Sequence, residues 1–155
     1  MKAVLDLGTN TFHLLIGDVI DGQPHFEVRE FRAVKLGEGG INKKTITKEA
    51  WARAMKTLRE YRSIIDLYPV DETVALATSA VRNAENGQQF CAEVLRETGI
   101  SITTIDGETE AGYIFSGIAL SGCMEESVGL IVDIGGGSVE FIIGTAGKMH
   151  YKRSI

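Results

Sequence analysis

The chain predicts an α/β fold with a mixed sheet and flanking helices, on three observations. Strand-like apolar runs at both ends enclose alternating helical and strand patterns. A strand–turn–strand unit near residue 4 returns without a gap near residue 131. Glycine is abundant, 18 in 155 residues, about 12% against a usual ~7%, and six of the glycines belong to that repeated unit.

The elements follow in order. Residues 2–8 and 12–20 are apolar runs separated by the polar turn Thr9-Asn10-Thr11, which predicts two strands. Residues 25–36 alternate in part, as a half-exposed third strand does, and a loop with Gly37, Gly39 and Gly40 follows. Thr47 suits an N-cap with Glu49 in the first turn, and Trp51, Met55, Leu58, Tyr61 and Ile65 keep helical spacing until Pro69 ends the helix. Trp51 and Met55 are expected in the core. Residues 72–78 predict a strand, 86–98 a helix stopped by Gly99, 100–105 a strand and 108–120 a helix. Residues 128–134 and 139–144 repeat the opening strand, polar turn and strand.

Composition excludes several classes. A 155-residue chain that is 44% hydrophobic with a net charge of -5 is not disordered, and no apolar run approaches the roughly 20 residues that span a bilayer. The first strand-like run starts at Lys2 and is broken by Asp6, so no signal peptide is expected. Cys91 and Cys123 lie in no metal or disulfide pattern, and reduced thiols in a cytoplasmic protein are the expectation. Ten basic residues and only four acids fall between Arg29 and Arg62, whereas 97–147 holds no Lys or Arg. The overall acidity argues against nucleic acid as a partner. The local excess of positive charge suits either an anionic ligand or a solvated helix face.

The repeat carries the chemistry. Val4–Gly17 overlays Ile131–Gly144, placing Asp6 on Asp133, Gly8 on Gly135, Thr11 on Ser138 and Gly17 on Gly144. A turn of small residues lets backbone N–H groups converge on an anion, and Thr9, Asn10, Thr11 and Ser138 add side-chain donors. An Asp that ends the strand before such a turn is placed to hold a cation, or its water, that bridges phosphates. An ordinary hairpin whose glycines serve only the turn is the alternative, and the second copy weighs against it. A dinucleotide-binding Rossmann unit is excluded, because each glycine turn leads into a strand.

The turns Asp6-Leu7-Gly8-Thr9-Asn10-Thr11 and Asp133-Ile134-Gly135-Gly136-Gly137-Ser138 resemble the two phosphate loops of the actin/sugar-kinase/Hsp70 superfamily. Leu36-Gly37-Glu38-Gly39, Ala77 to Ala84 (with Thr78-Ser79-Ala80-Val81-Arg82-Asn83 between them) and Asp106-Gly107-Glu108-Thr109-Glu110-Ala111 extend this. With them, nearly the whole chain resembles the Ppx/GppA family of exopolyphosphatases and guanosine pentaphosphate phosphohydrolases. Thr9 and Thr11 stand where serines are usual, Thr109 where an acid is common, and Gly112 where an arginine is frequent.

The resemblance implies a ribonuclease H-like, actin-like lobe over residues 1–124 and the start of a similar second lobe over 125–155. The second would stop after two or three strands. It implies metal-assisted hydrolysis of the terminal phosphate of polyphosphate or guanosine pentaphosphate, with Mg²⁺ or another divalent cation as cofactor. Glu110 matches the catalytic glutamate that activates water, and Asp133 and Glu140 match acids tied to catalysis and metal. Asp6 joins them as a metal residue. Gly8, Thr9, Asn10, Gly136, Gly137 and Ser138 match the phosphate cradle and Arg82 its phosphate-contacting arginine, and Thr11 and Gly135 complete the expected phosphate-binding set. Read alone, Glu110 also suits a helix N-terminus, Arg82 an exposed loop, and His13 a residue packed or capping beside the first turn. Such a short chain is expected to turn over polyphosphate weakly, and its exposed C-terminal strands favour a homodimer. Two other functions stay open: a nucleotide-dependent kinase of the same superfamily, which the Glu110 context disfavours, and a non-catalytic polyphosphate or alarmone sensor. No membrane partner is expected.

Overall fold

Strand β1 (Lys2–Leu7) alternates strictly: Ala3, Leu5 and Leu7 are buried, while Lys2, Val4 and Asp6 are exposed. Strand β2 (Thr11–Ile20) answers with buried Phe12, Leu14 and Ile16. The period of two therefore gives the sheet one apolar face. Strand β3 (Gln23–Ala33) pairs antiparallel to β2, and β2 antiparallel to β1. Strands β4 (Glu72–Ala77) and β5 (Ile102–Thr104) continue parallel to β1, giving the order β3-β2-β1-β4-β5. The computed structural model describes residues 1–124 and 126–155, in two compact units, 1–104 and 105–155.

In the first unit, helix α1 (Lys48–Ile65) begins where Thr47 accepts the Ala50 N–H at 3.3 Å. This is the predicted cap. Ala50, Ala54, Met55, Leu58, Tyr61 and Ile65 are its buried side and join the β1–β2 core. The helix stops at Ile65, ahead of Pro69, because the Leu67 and Tyr68 N–H groups close a turn on the Ile64 and Ile65 carbonyls. Helix α2 (Ser79–Arg82) is a single turn that the sequence reading lacks, as is a 3₁₀ turn at Ile41–Lys43. Helix α3 (Gly87–Thr98) ends on Gly99, whose φ of 70° is the left-handed stop the sequence predicts. Trp51 is only partly buried: its ring meets Phe90 edge-on at 5.2 Å and its Nε1 donates to Glu93 at 3.1 Å. The fifth strand is shorter than predicted, three residues rather than six.

Tyr61 lies wholly buried and donates its hydroxyl to the Phe12 carbonyl at 2.8 Å. Burial pushes its phenol up to about 12 from 10.0. The unfolded chain releases this proton near pH 10 and the folded chain holds it to about pH 12, so stability falls as pH rises across that window. We expect Tyr61→Phe to flatten that decline in urea unfolding measured at successive alkaline pH values. An equal slope in both proteins would assign it to another group.

The second unit comprises helix α4 (Gly107–Leu120) and strands β6 (Gly129–Ile134), β7 (Val139–Thr145) and β8 (Lys148–Ser154). The strands form an antiparallel sheet in that order, and α4 packs on β7 and β8. This packing groups α4 with the second sheet, whereas the sequence reading divides its lobes at 124/125. Glu125 itself lies outside the described residues. Leu130, Val132 and Ile134 leave β6 with an exposed apolar side.

The repeat survives in three dimensions. Asp6 pairs with His13 and Leu7 with Phe12, while Asp133 pairs with Glu140 and Ile134 with Val139, the same register 127 residues on. Each second strand then shifts register against the third at its glycine, between Ile16 and Gly17 and between Ile143 and Gly144. Among the described residues no helix is long and apolar enough to cross a membrane.

Candidate active site

The first loop is built by β1 and β2. Gly8 N–H donates to the Thr11 carbonyl at 3.1 Å, and a Cβ on Gly8 would sit 3.0 Å from that oxygen. Thr9 is buried, with its hydroxyl 2.9 Å from that of Ser79, also buried. The loop's outward carbonyls are taken by the glycine-rich segment: Lys35 N–H donates to Asn10 at 2.8 Å and Gly37 N–H to Thr9 at 3.1 Å. Lys35 holds a φ of 51° to do so, a left-handed conformation uncommon outside glycine. Asn10 is exposed, Thr11 half-buried, and Asp6 exposed at the end of β1 opposite exposed His13.

Arg82 is placed by the turn that follows β4. Its N–H closes α2 on the Thr78 carbonyl at 2.9 Å, while Thr78 N–H reaches Leu7 at 3.4 Å. Beyond Arg82, the Glu85 N–H donates to Lys44 at 2.8 Å. The Asn86 side chain both accepts from Ile46 N–H and donates to its carbonyl, each at 2.9 Å. The first loop, the glycine-rich segment and the Arg82 segment are thus tied pairwise by hydrogen bonds. Much of the basic run is spent locally. Arg53 pairs with Glu38 at 2.9 Å, Arg59 with Glu97 at 2.5 Å, Arg62 with Asp66 and Arg32 with Glu30.

In the second unit, Asp106 caps α4 by accepting the Thr109 N–H at 2.7 Å. Glu108 and Glu110 occupy the first turn, where the helix dipole favours a carboxylate, and Glu110 is half-buried. The second loop copies the first: Gly135 N–H donates to Ser138 at 3.0 Å. Gly136 and Gly137 form its exposed tip, with Ser138 half-buried. Asp133 is exposed, and facing it across the hairpin Glu140 is buried and accepts the Ser154 hydroxyl at 2.6 Å.

The first unit therefore gathers Asp6, Gly8, Thr9, Asn10 and Thr11 on one hairpin, with the Arg82 turn bonded to it through Ser79. The second gathers Asp133, Gly135, Gly136, Gly137, Ser138 and Glu140 on the other, and carries Glu110 on α4. No group of three or more His, Cys, Asp or Glu side chains that could hold a metal occurs among the described residues. Asp133 and Glu140 offer two hard oxygen donors on neighbouring strands, a set that suits Mg²⁺, which usually takes one or two carboxylates and completes its shell with water and phosphate. Ser79 and Asn86 are the residues sequence reasoning missed. Only the Thr-Ser pair directly after a strand hinted at the first.

The chain matches the Ppx/GppA phosphatase family over residues 15–155. It is similar to the crystal structure of an exopolyphosphatase from Cytophaga hutchinsonii, with 46% identity and a TM-score of 0.95 over 99% of this chain and 49% of that one. A bifunctional 3-dehydroquinate synthase/phosphatase of Fusobacterium nucleatum is 36% identical over 100% of this chain and 24% of its own length. MreB5 of Spiroplasma citri, solved bound to ADP, matches with a TM-score of 0.50 and 18% identity over 99% of this chain and 51% of that one, a likeness of the actin-like fold alone. The chain spans about half the length of that exopolyphosphatase and about a quarter of the bifunctional relative.

Proposed function

Since the chain belongs to the Ppx/GppA phosphatase family, we propose that it contributes the phosphate-binding hairpins and water-activating carboxylate of a phosphohydrolase. The reaction removes the terminal phosphate of inorganic polyphosphate or guanosine pentaphosphate. The observation that carries this reading is the repeated hairpin: two Asp-turn units with the same register, the same turn bond and the same glycine break. Phosphoryl transfer asks a protein mainly for charge neutralisation and alignment, with little covalent help, and these are what such turns provide.

Gly8 and Gly135 hold the two turns closed with their N–H groups, and the backbone N–H groups and hydroxyls between Gly8 and Thr11 and between Gly135 and Ser138 bind phosphate oxygens. Arg82 adds a planar fork that meets phosphate with two hydrogen bonds. Glu110 orients water and accepts its proton as the water oxygen attacks the terminal phosphorus. The bond from that phosphorus to the bridging oxygen breaks, and the shortened chain leaves with the electron pair on that oxygen. Within the second unit Asp133 and Glu140 would hold a divalent cation such as Mg²⁺, whose charge would offset that of the phosphate chain, and Asp6 is the metal candidate of the first hairpin. A cytoplasmic location, a homodimer formed through the apolar β6 side, and weak turnover by 155 residues alone belong to the same proposal.

Phosphate release measured from long-chain polyphosphate and from guanosine pentaphosphate, with and without a chelator, tests it. Release from at least one substrate is expected, lost on chelation and restored by added Mg²⁺. Absence of release from both overturns the reading.

A further inference from the structure

We propose that Ser79 is a positioning residue for the first phosphate loop. Its hydroxyl donates to Thr9 Oγ1 and thereby turns the Thr9 proton toward a bound phosphate. This inference deepens the phosphohydrolase reading and rests on it, in that the first loop is taken to hold phosphate.

The placement follows from the sheet. Strands β1 and β4 run parallel with Leu7 beside Ala77. Two residues beyond the end of each strand stand Thr9 and Ser79, whose hydroxyls lie 2.9 Å apart in a buried setting. Thr9 is pinned from the other side as well. A Cβ on Gly37 would come within 2.7 Å of the Thr9 methyl, and Gly37 N–H donates to the Thr9 carbonyl at 3.1 Å. The methyl is thus seated on Gly37 and the hydroxyl faces Ser79. This seat also gives a physical use for threonine, rather than serine, at this position.

The chemistry turns on a single proton. Each hydroxyl has one proton to donate and two lone pairs, so one member of the pair donates to the other. If Thr9 donates to Ser79, it presents only lone pairs to an incoming anion. If Ser79 donates to Thr9, the Thr9 proton points outward, and the chain Ser79 to Thr9 to phosphate polarises in one direction. An anion in the loop selects the second arrangement. Without the Ser79 hydroxyl, Thr9 must leave a buried oxygen unsatisfied to make the same contact.

The test compares wild type, Ser79→Ala, Thr9→Val and the double variant. Steady-state phosphate release is measured with polyphosphate, and binding of tripolyphosphate by calorimetry. Ser79→Ala is expected to raise KM and the tripolyphosphate Kd about tenfold, the usual worth of one hydrogen bond, with kcat held within about twofold. In the Thr9→Val background the same substitution is expected to add nothing, because Ser79 acts through the Thr9 hydroxyl. A merely structural serine would lower thermal stability in both backgrounds and shift KM in neither. Ser79→Cys, of similar size with a weak donor, is expected to fall between wild type and alanine. Wild-type affinity in Ser79→Ala or Ser79→Cys, or equal losses in both Thr9 backgrounds, overturns the proposal, as does a wild type that binds no tripolyphosphate. A wild type that binds tripolyphosphate but releases no phosphate sinks the phosphohydrolase reading instead, and the binding comparison still decides the role of Ser79.

Discussion

Glu110→Gln is expected to slow phosphate release about a thousandfold, within the range that one positioned acid–base group contributes, and to leave tripolyphosphate binding within about twofold. Glutamine keeps the size and one hydrogen-bonding oxygen of glutamate but cannot take a proton from water. The helix that carries it has its own start: Asp106 holds the Thr109 N–H at 2.7 Å, and the Glu110 N–H bonds Asp106 at 3.0 Å through the main chain. The substitution therefore leaves the first turn of α4 capped, and circular dichroism should be unchanged. Single-turnover phosphate release and calorimetry on the same preparation separate the outcomes. Retained turnover would mean that another group activates the water. Loss of turnover with loss of binding would make Glu110 a binding residue.

Gly17→Ala is expected to cost about 3 kcal/mol or more, at the upper end for overpacking. The added Cβ would overlap the His25 carbonyl and lie 3.0 Å from the Phe26 Cα. Backbone on the neighbouring strand cannot swing aside as a side-chain end does. The position lies where β2 slips register against β3, so relief would mean parting the two strands. Gly144 meets the same restriction: a Cβ there would come within 2.6 Å of the Phe115 ring and 2.8 Å of the Lys148 carbonyl. Urea unfolding followed by circular dichroism should show a clear fall in midpoint for Gly17→Ala. Gly117→Ala serves as the contrast. It lies within α4 with nothing inside 4 Å of a new Cβ, so alanine should gain up to about 1 kcal/mol. Equal behaviour of the two variants would refute the steric account.

Most of the framework was legible because each piece leaves a local trace. The alternation of β1, the Thr47 cap, the Gly99 stop and the repeated hairpin all rest on neighbours within a few residues. Helix α2 left none, since four residues are too few to show a period. The Thr9–Ser79 contact spans 70 positions and depends on how β1 and β4 align. Sequence patterns do not encode the pairing of two parallel strands separated by a long crossover. The basic run shows the same divide. Arg62 and Asp66 are four apart on one helix and could be paired on sight, whereas Arg59 meets Glu97 only once α1 and α3 pack together. Charge counted along the chain therefore overstated what was left for an anion. The candidate site residues came from motif order, while the bonds that brace them left no trace in the sequence.

The hairpin that occurs twice separates shape from charge. Its shape is written in the paired register, the bond across the turn and the glycine where the second strand slips, and both copies share all three. Its charge is written largely at one cross-strand position, where His13 faces Asp6 and Glu140 faces Asp133. Directly opposed carboxylates repel one another, so the second copy concentrates acid at a position where the first pairs an acid with an imidazole. The unit behaves as an interchangeable cassette: one backbone part, used twice, whose electrostatic role is reset by a single residue without redrawing the strand.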